Sequence, residues 1–153
     1  MKKLRLLASF VLIVLLFTNV SSVAAQSYTF NLAQEIVHVY WNSDGTMALD
    51  YVFTFANDPG GHVIDFVDVG MPNGNFNFGT ITADVGGQSI SPSSDFQGDG
   101  PYGFSVDMGA YAIQPGQTGS VHVFVGQITQ VLQKDTSDPN AYASGVFAPA
   151  YFT

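Results

Sequence analysis

The 153-residue chain contains no cysteine, so no disulfide braces it and no thiol chemistry is open to it. Cationic side chains are almost as scarce. Lys2, Lys3 and Arg5 crowd the first five positions, and Lys134 is the one base beyond them. Against these stand Glu35 and eleven Asp. Beyond those first five positions no cluster of bases is left to neutralise phosphates, and the acids are repelled by phosphate backbones and anionic lipid. Nucleic-acid binding is therefore excluded as a function class. No Gly-x-Ser-x-Gly elbow is present, and no residue pattern supplies a nucleophile with a base beside it. Helical periodicity is also missing beyond the opening residues.

The opening residues carry their own message. Lys2, Lys3 and Arg5 precede an apolar run, Leu6 to Phe17, broken only by Ser9, and small residues come after it at Val23-Ala24-Ala25. That order of charge, apolar run and small residues is a secretory signal. The run is shorter than the roughly 20 residues that span a bilayer, so cleavage near Ala25 is expected rather than a retained anchor. With no Cys after the run, a lipoprotein is excluded. Residues 1–25 are thus expected to form a signal-peptide helix and 26–153 a single exported domain, secreted or held in the cell envelope. Removing the signal leaves twelve acids against Lys134, a net charge of minus eleven where the whole chain has minus eight. Only 10% of the chain is charged and 14% is aromatic, which suits a packed core and not a disordered segment.

Beyond the signal, the chain alternates with period two. Val37, Val39 and Trp41 share one face, with Ile36, His38 and Tyr40 on the other. Met47, Leu49, Tyr51, Phe53 and Phe55 share one face, opposite Ala48, Asp50, Val52 and Thr54. Alternation of this length predicts strands. Ser43-Asp44-Gly45 between them is a hairpin loop with Gly where φ must be positive. If Asn42 pairs with Thr46, Trp41 faces Met47, Val39 faces Leu49, Val37 faces Tyr51 and His38 faces Asp50, which aligns both apolar faces. Further strands are expected over 62–69, 76–85, 88–91, 103–108 and 119–128, and the tail adds 145–147 and 148–152. Gly and Pro clusters divide them, such as Asn57 to Gly61, Met71 to Gly74, Gly86-Gly87 and Gln114 to Gln117. The expected class is all-β: a two-sheet antiparallel sandwich of immunoglobulin-like kind, with a small barrel as the other closure.

Asp44-Gly45-Thr46, Asp50-Tyr51, Phe53 and Phe55, with Val67 to Pro72 after them, resemble the N-terminal extracytoplasmic domain of certain bacterial predicted membrane proteins of unknown function. Ala112 to Gln117 before a Val-rich strand is similar to a turn of immunoglobulin-like modules in secreted bacterial proteins. The resemblance implies a bacterial sandwich module and transfers no catalytic residue. Those membrane proteins continue into a transmembrane helix while this chain stops at Thr153. That leaves open that it is the N-terminal part of a longer protein, reaching the membrane only through a downstream anchor.

Candidate chemistry is sparse. His38 and His122 alternate with buried Val, and if their strands oppose each other they approach Asp50 as metal ligands. No His-x-x-x-His spacing supports that, so surface histidines are the expectation, His62 included. Asp135 and Asp138, then Asp95 and Asp99, offer loop oxygens of the kind calcium takes, though no twelve-residue loop ends in a bidentate Glu. Calcium is accordingly the one cofactor considered, and none the default, since Asp and Asn also close turns by themselves. Exposed rings stack on sugars, and Tyr40, Phe76, Phe78 and Tyr102 are the candidates, with Phe124 beside them. Trp41, Tyr51, Phe53 and Phe55 fall on the inward phase and are assigned to the core, where each buried ring is worth roughly 1.5–3 kcal/mol. The expected function is a noncatalytic structural or interaction module of the bacterial envelope. Its partner is unidentified: another envelope protein, a neighbouring domain or a second copy. The rivals are a glycan- or calcium-binding module and a hydrolase with an acidic site.

Overall fold

The computed structural model describes residues 28–145. The expected export signal and its expected cleavage point, and the tail beyond Gly145, lie outside the described residues. Among the described residues nine strands succeed one another: β1 (Phe30–Trp41), β2 (Met47–Asn57), β3 (Phe66–Gly70), β4 (Ile81–Val85), β5 (Gln88–Ile90), β6 (Gly103–Asp107), β7 (Thr118–Ile128), β8 (Leu132–Lys134) and β9 (Ala143–Gly145). Short 3-10 turns at Phe78–Thr80 and Gly109–Tyr111 are the only helical pieces among the described residues. No helix among them is long and apolar enough to cross a membrane.

Among the described residues all pairings are antiparallel, and the sheets do not close into a barrel. One sheet runs β1-β2-β7-β4-β5, a second pairs β3 with β6, and β8-β9 form a separate ribbon. The first two share one core, as the layers of a sandwich do. Met47, Leu49, Tyr51, Phe53 and Phe55 of β2 meet Val121, Val123 and Val125 of β7 there, together with Val67 and Val69 of β3 and Phe104 and Val106 of β6. Period two produces this directly, because successive side chains of a strand point to opposite faces.

The β1–β2 hairpin has the expected register. Trp41, Val39, His38 and Val37 pair with Met47, Leu49, Asp50 and Tyr51. Asn42 N donates to Thr46 O at 2.9 Å, and Gly45 takes φ +84°. Asp44 Oδ1 accepts from the Thr46 amide at 2.9 Å and holds the turn, which keeps its carboxyl below the usual range. Gln114-Pro115-Gly116-Gln117 is a tight turn of the kind Pro-Gly favours, closed by Gln117 N to Gln114 O at 3.0 Å with Gly116 at φ +76°.

Several expectations need correction. β1 begins at Phe30 and not at Ile36, because a bulge between Leu32 and Gln34 breaks the alternation and hides the first half of the strand. The stretch over 76–85 is a bridge at Phe76, a 3-10 turn and then β4; that over 62–69 orders as a strand only from Phe66. Trp41 holds the inward phase yet is 47% exposed, at the end of a strand that among the described residues pairs with β2 alone. Tyr51, Phe53 and Phe55 are buried as expected.

Candidate functional site

The outer face of the five-stranded sheet gathers the titratable groups. Asp50 on β2, His122 on β7 and Asp84 on β4 stand on neighbouring strands in the outward phase, behind the buried rows of Leu49/Tyr51, Val121/Val123 and Ala83/Val85. Asp84 is the cross-strand partner of His122, and Asp50 lies diagonal to it, since Val52 takes the direct position. His122 Nδ1 lies 2.8 Å from Asp84 Oδ2, and Nε2 lies 2.6 Å from Asp50 Oδ1. His38, directly opposite Asp50 on β1, brings Nδ1 to 3.6 Å of the other Asp50 oxygen.

A carboxylate can only accept, so an imidazole bonded to one at each nitrogen must donate from both and carry a proton on both. Partial burial pulls the His122 pKa down. The hydrogen bonds to Asp84 and Asp50, with the charges of both, outweigh it and set the pKa above the ordinary imidazole value. His122 is thus a cationic clamp across β2, β7 and β4. With both nitrogens occupied, the ring has no free lone pair to act as a base.

The sequence pattern places His38 beside Asp50 but puts the two histidines on opposed strands. They flank Asp50 from either side, in one sheet, and Asp84 completes the group. No local pattern points to Asp84, because its place depends on the β7–β4 pairing. Among the described residues no group of three or more His, Asp or Glu side chains is set to hold a metal ion.

The loop carboxylates proposed for calcium are separate and largely engaged. Asp135 Oδ1 accepts from the amides of Ser137 and Asp138 at 2.8 and 3.2 Å and from the Ser137 hydroxyl, and Oδ2 accepts from Ser144. These bonds, led by the Ser137 hydroxyl, hold the Asp135 carboxyl far below its usual range. Asp138 Oδ1 accepts from Asn140 N at 3.2 Å. Asp95 and Asp99 are exposed on the loop between β5 and β6. The rings proposed for sugars do not form one strip. Phe76 and Phe78 both pack toward Phe104, at 6.2 and 6.5 Å between centroids, and close one end of the core. Tyr102 lies against Gly74, and Tyr40 stands apart on β1 near His38. Phe124 is half-buried on the outer face, opposite Asp50.

Clefts are shallow. One of about 350 Å³ is lined by residues including Pro72, Asn73, Gln130, Gln133 and Lys134, with no carboxylate in its wall. Another, of about 200 Å³, lies between the start of β1 and β3 and is apolar, formed mainly by Tyr28, Phe30, Phe55, Ile64 and Phe66.

The edge beside that groove has no signal in the sequence. Among the described residues β1 pairs with β2 alone, so its other side meets no described strand over twelve residues, roughly 40 Å of backbone. Phe30, Ile36, Tyr40 and Trp41 on this strand are exposed large hydrophobics. Edge strands are commonly protected by Lys or Pro, and β1 has neither. Its protection is the bulge at 32–34 and one inward-facing acid, Glu35, set opposite buried Phe53. Glu35 Oε1 is sealed from solvent and has no hydrogen-bond partner among the described residues, and burial raises the carboxyl's pKa.

Compared with protein-family models, curated proteins and solved structures, the chain matches none.

Proposed function

We propose that this protein is an exported, noncatalytic β-sandwich of immunoglobulin-like kind that serves as an interaction module of the bacterial cell envelope. The observation that carries this reading is the β1 edge, which no other strand among the described residues pairs, twelve residues long and carrying Phe30, Ile36, Tyr40 and Trp41 in exposed positions. An apolar edge with open backbone donors and acceptors is a template for pairing with another chain. The sandwich behind it supplies a stiff platform, and the His122 clamp ties three of the platform's strands together.

The secretory pattern at Lys2 to Ala25 supports an extracytoplasmic address, where a cysteine-free domain must rest on burial alone. The titratable cluster on the outer face supports a noncatalytic role, because the imidazole is spent on its two carboxylates.

A photoreactive amino acid at Tyr40, on β1, tests the reading in whole bacterial envelopes. The same group placed at Asp99, on an exposed loop, is the control. A covalent adduct to another polypeptide from position 40 and none from position 99 is the expected result. Equal labelling from both positions, or none from either, removes the edge as the interaction surface.

A further inference from the structure

The β1 edge carries a chemical preference as well as an opening. Glu35 stands in the inward phase of an edge strand, in line with half-buried Leu32, Val37 and Val39. Its carboxylate therefore sits where the core of the sheet would continue if one more strand were added. A strand pairing with β1 lays its own inward side chains beside that row. An apolar one there would seal an unpaired carboxylate, which is costly, whereas a cation would neutralise it.

The protein has almost nothing of its own to offer. Lys134 is the one cation among the Lys and Arg side chains of the described residues, and it lies on β8 beside Gln133 and Pro72. A second copy pairing edge to edge brings another Glu35 and no Lys or Arg, and its His38 lies on the opposite face of the strand. The described residues as a whole are equally one-sided, with twelve acids against that single Lys. Nothing among the described residues supplies that cation, which points to a basic segment of another molecule as the occupant.

We propose that the β1 edge accepts an extended segment of a partner protein that carries a Lys or Arg to meet Glu35, between apolar residues that continue the row of Leu32, Val37 and Val39. Toward its start the edge opens on the apolar groove between β1 and β3, which gives one of those apolar side chains a seat against Phe30, Phe55 and Phe66. Glu35 thus works in both senses. It admits a strand that brings a cation and rejects strands that do not, the present chain's own β1 included. This inference rests on the edge being the interaction surface, as proposed for the module's function.

Trp41, the chain's single Trp, ends this edge half-exposed and reports on it by fluorescence. The probes are three synthetic peptides of about nine residues that alternate Val and Thr and differ only at the central position, Lys, Gln or Glu. Full-length protein is titrated with each, and so is the variant Glu35→Gln, whose fold is first checked by circular dichroism. The Lys peptide is expected to bind about tenfold or more tightly than the Gln peptide, with the Glu peptide weakest. In Glu35→Gln the three should converge. Equal binding of all three to the unaltered protein overturns the cation preference while leaving edge pairing standing. Binding of none overturns the edge reading itself. Concentration-dependent dimerisation lost in an edge variant, Val37→Asp, overturns the proposal in favour of a second copy.

Discussion

Replacing His122 by Gln removes the cation that joins β2, β7 and β4, and the loss should depend on pH in a defined sense. Each hydrogen bond to a charged group is worth about 1.5–3 kcal/mol when well shielded. Here the His122 side chain is 40% exposed and those of Asp50 and Asp84 are 23% and 30%, so solvent screening reduces the pair to about 1–2 kcal/mol in total. Because the folded-state pKa of His122 lies above the ordinary value, this contribution is complete below about pH 6.5 and fades as pH climbs through the raised pKa. Above it, a neutral ring donates from one nitrogen only and turns a lone pair toward the second carboxylate. Urea unfolding of the unaltered protein and His122→Gln at about pH 5.5 and pH 9 reads this directly. The stability gap should be about 1–2 kcal/mol at the lower pH and shrink toward zero at the higher. A gap that stays constant, or widens with pH, refutes the imidazolium clamp.

Two further substitutions test the packing that supports the sheet. Asn57 is buried, and its Nδ2 donates to the carbonyls of His62 and Ile113 at 2.8 and 3.0 Å. Asn57→Ala should therefore cost about 1–3 kcal/mol in chemical denaturation, through the loss of two hydrogen bonds from a buried amide, and a near-neutral result would contradict that role. A Cβ at Gly103 would lie 2.6 Å from the carbonyl oxygen of Val69 and 2.4 Å from the Phe96 ring. Gly103→Ala should accordingly lower the melting temperature by several degrees by forcing β3 and β6 apart, whereas Gly45→Ala meets no atom and strains only its positive φ.

How much of this is legible in the sequence depends on range. The β1–β2 hairpin can be registered residue by residue, because Ser43-Asp44-Gly45 fixes the turn and the apolar faces fix the phase. His38 beside Asp50 comes from the same register. Asp84 beside His122 does not, since it depends on β4 finding β7 across more than thirty residues of chain. The bulge at 32–34 conceals six residues of β1 by shifting the alternation. Glu35 lies beyond the bulge in phase with Val37 and Val39, and its pairing with Phe53 sets it on the inward face. Trp41 shows the limit of phase itself: alternation tells which face a ring takes, not whether another strand lies beside it. The short polar strands β8 and β9 carry no alternation to read.

The central claim is that β1 is an open pairing edge, and amide hydrogen exchange on the full-length protein measures it most directly. In an antiparallel edge strand, successive amides point alternately toward the neighbour and away from it. The β1 amides that face β2 should be protected, while those facing outward should exchange at rates near those of an unstructured chain. The Lys-bearing peptide should then slow the outward set. If every β1 amide from Phe30 to Trp41 is already protected in the free protein, the edge is not open and the account fails.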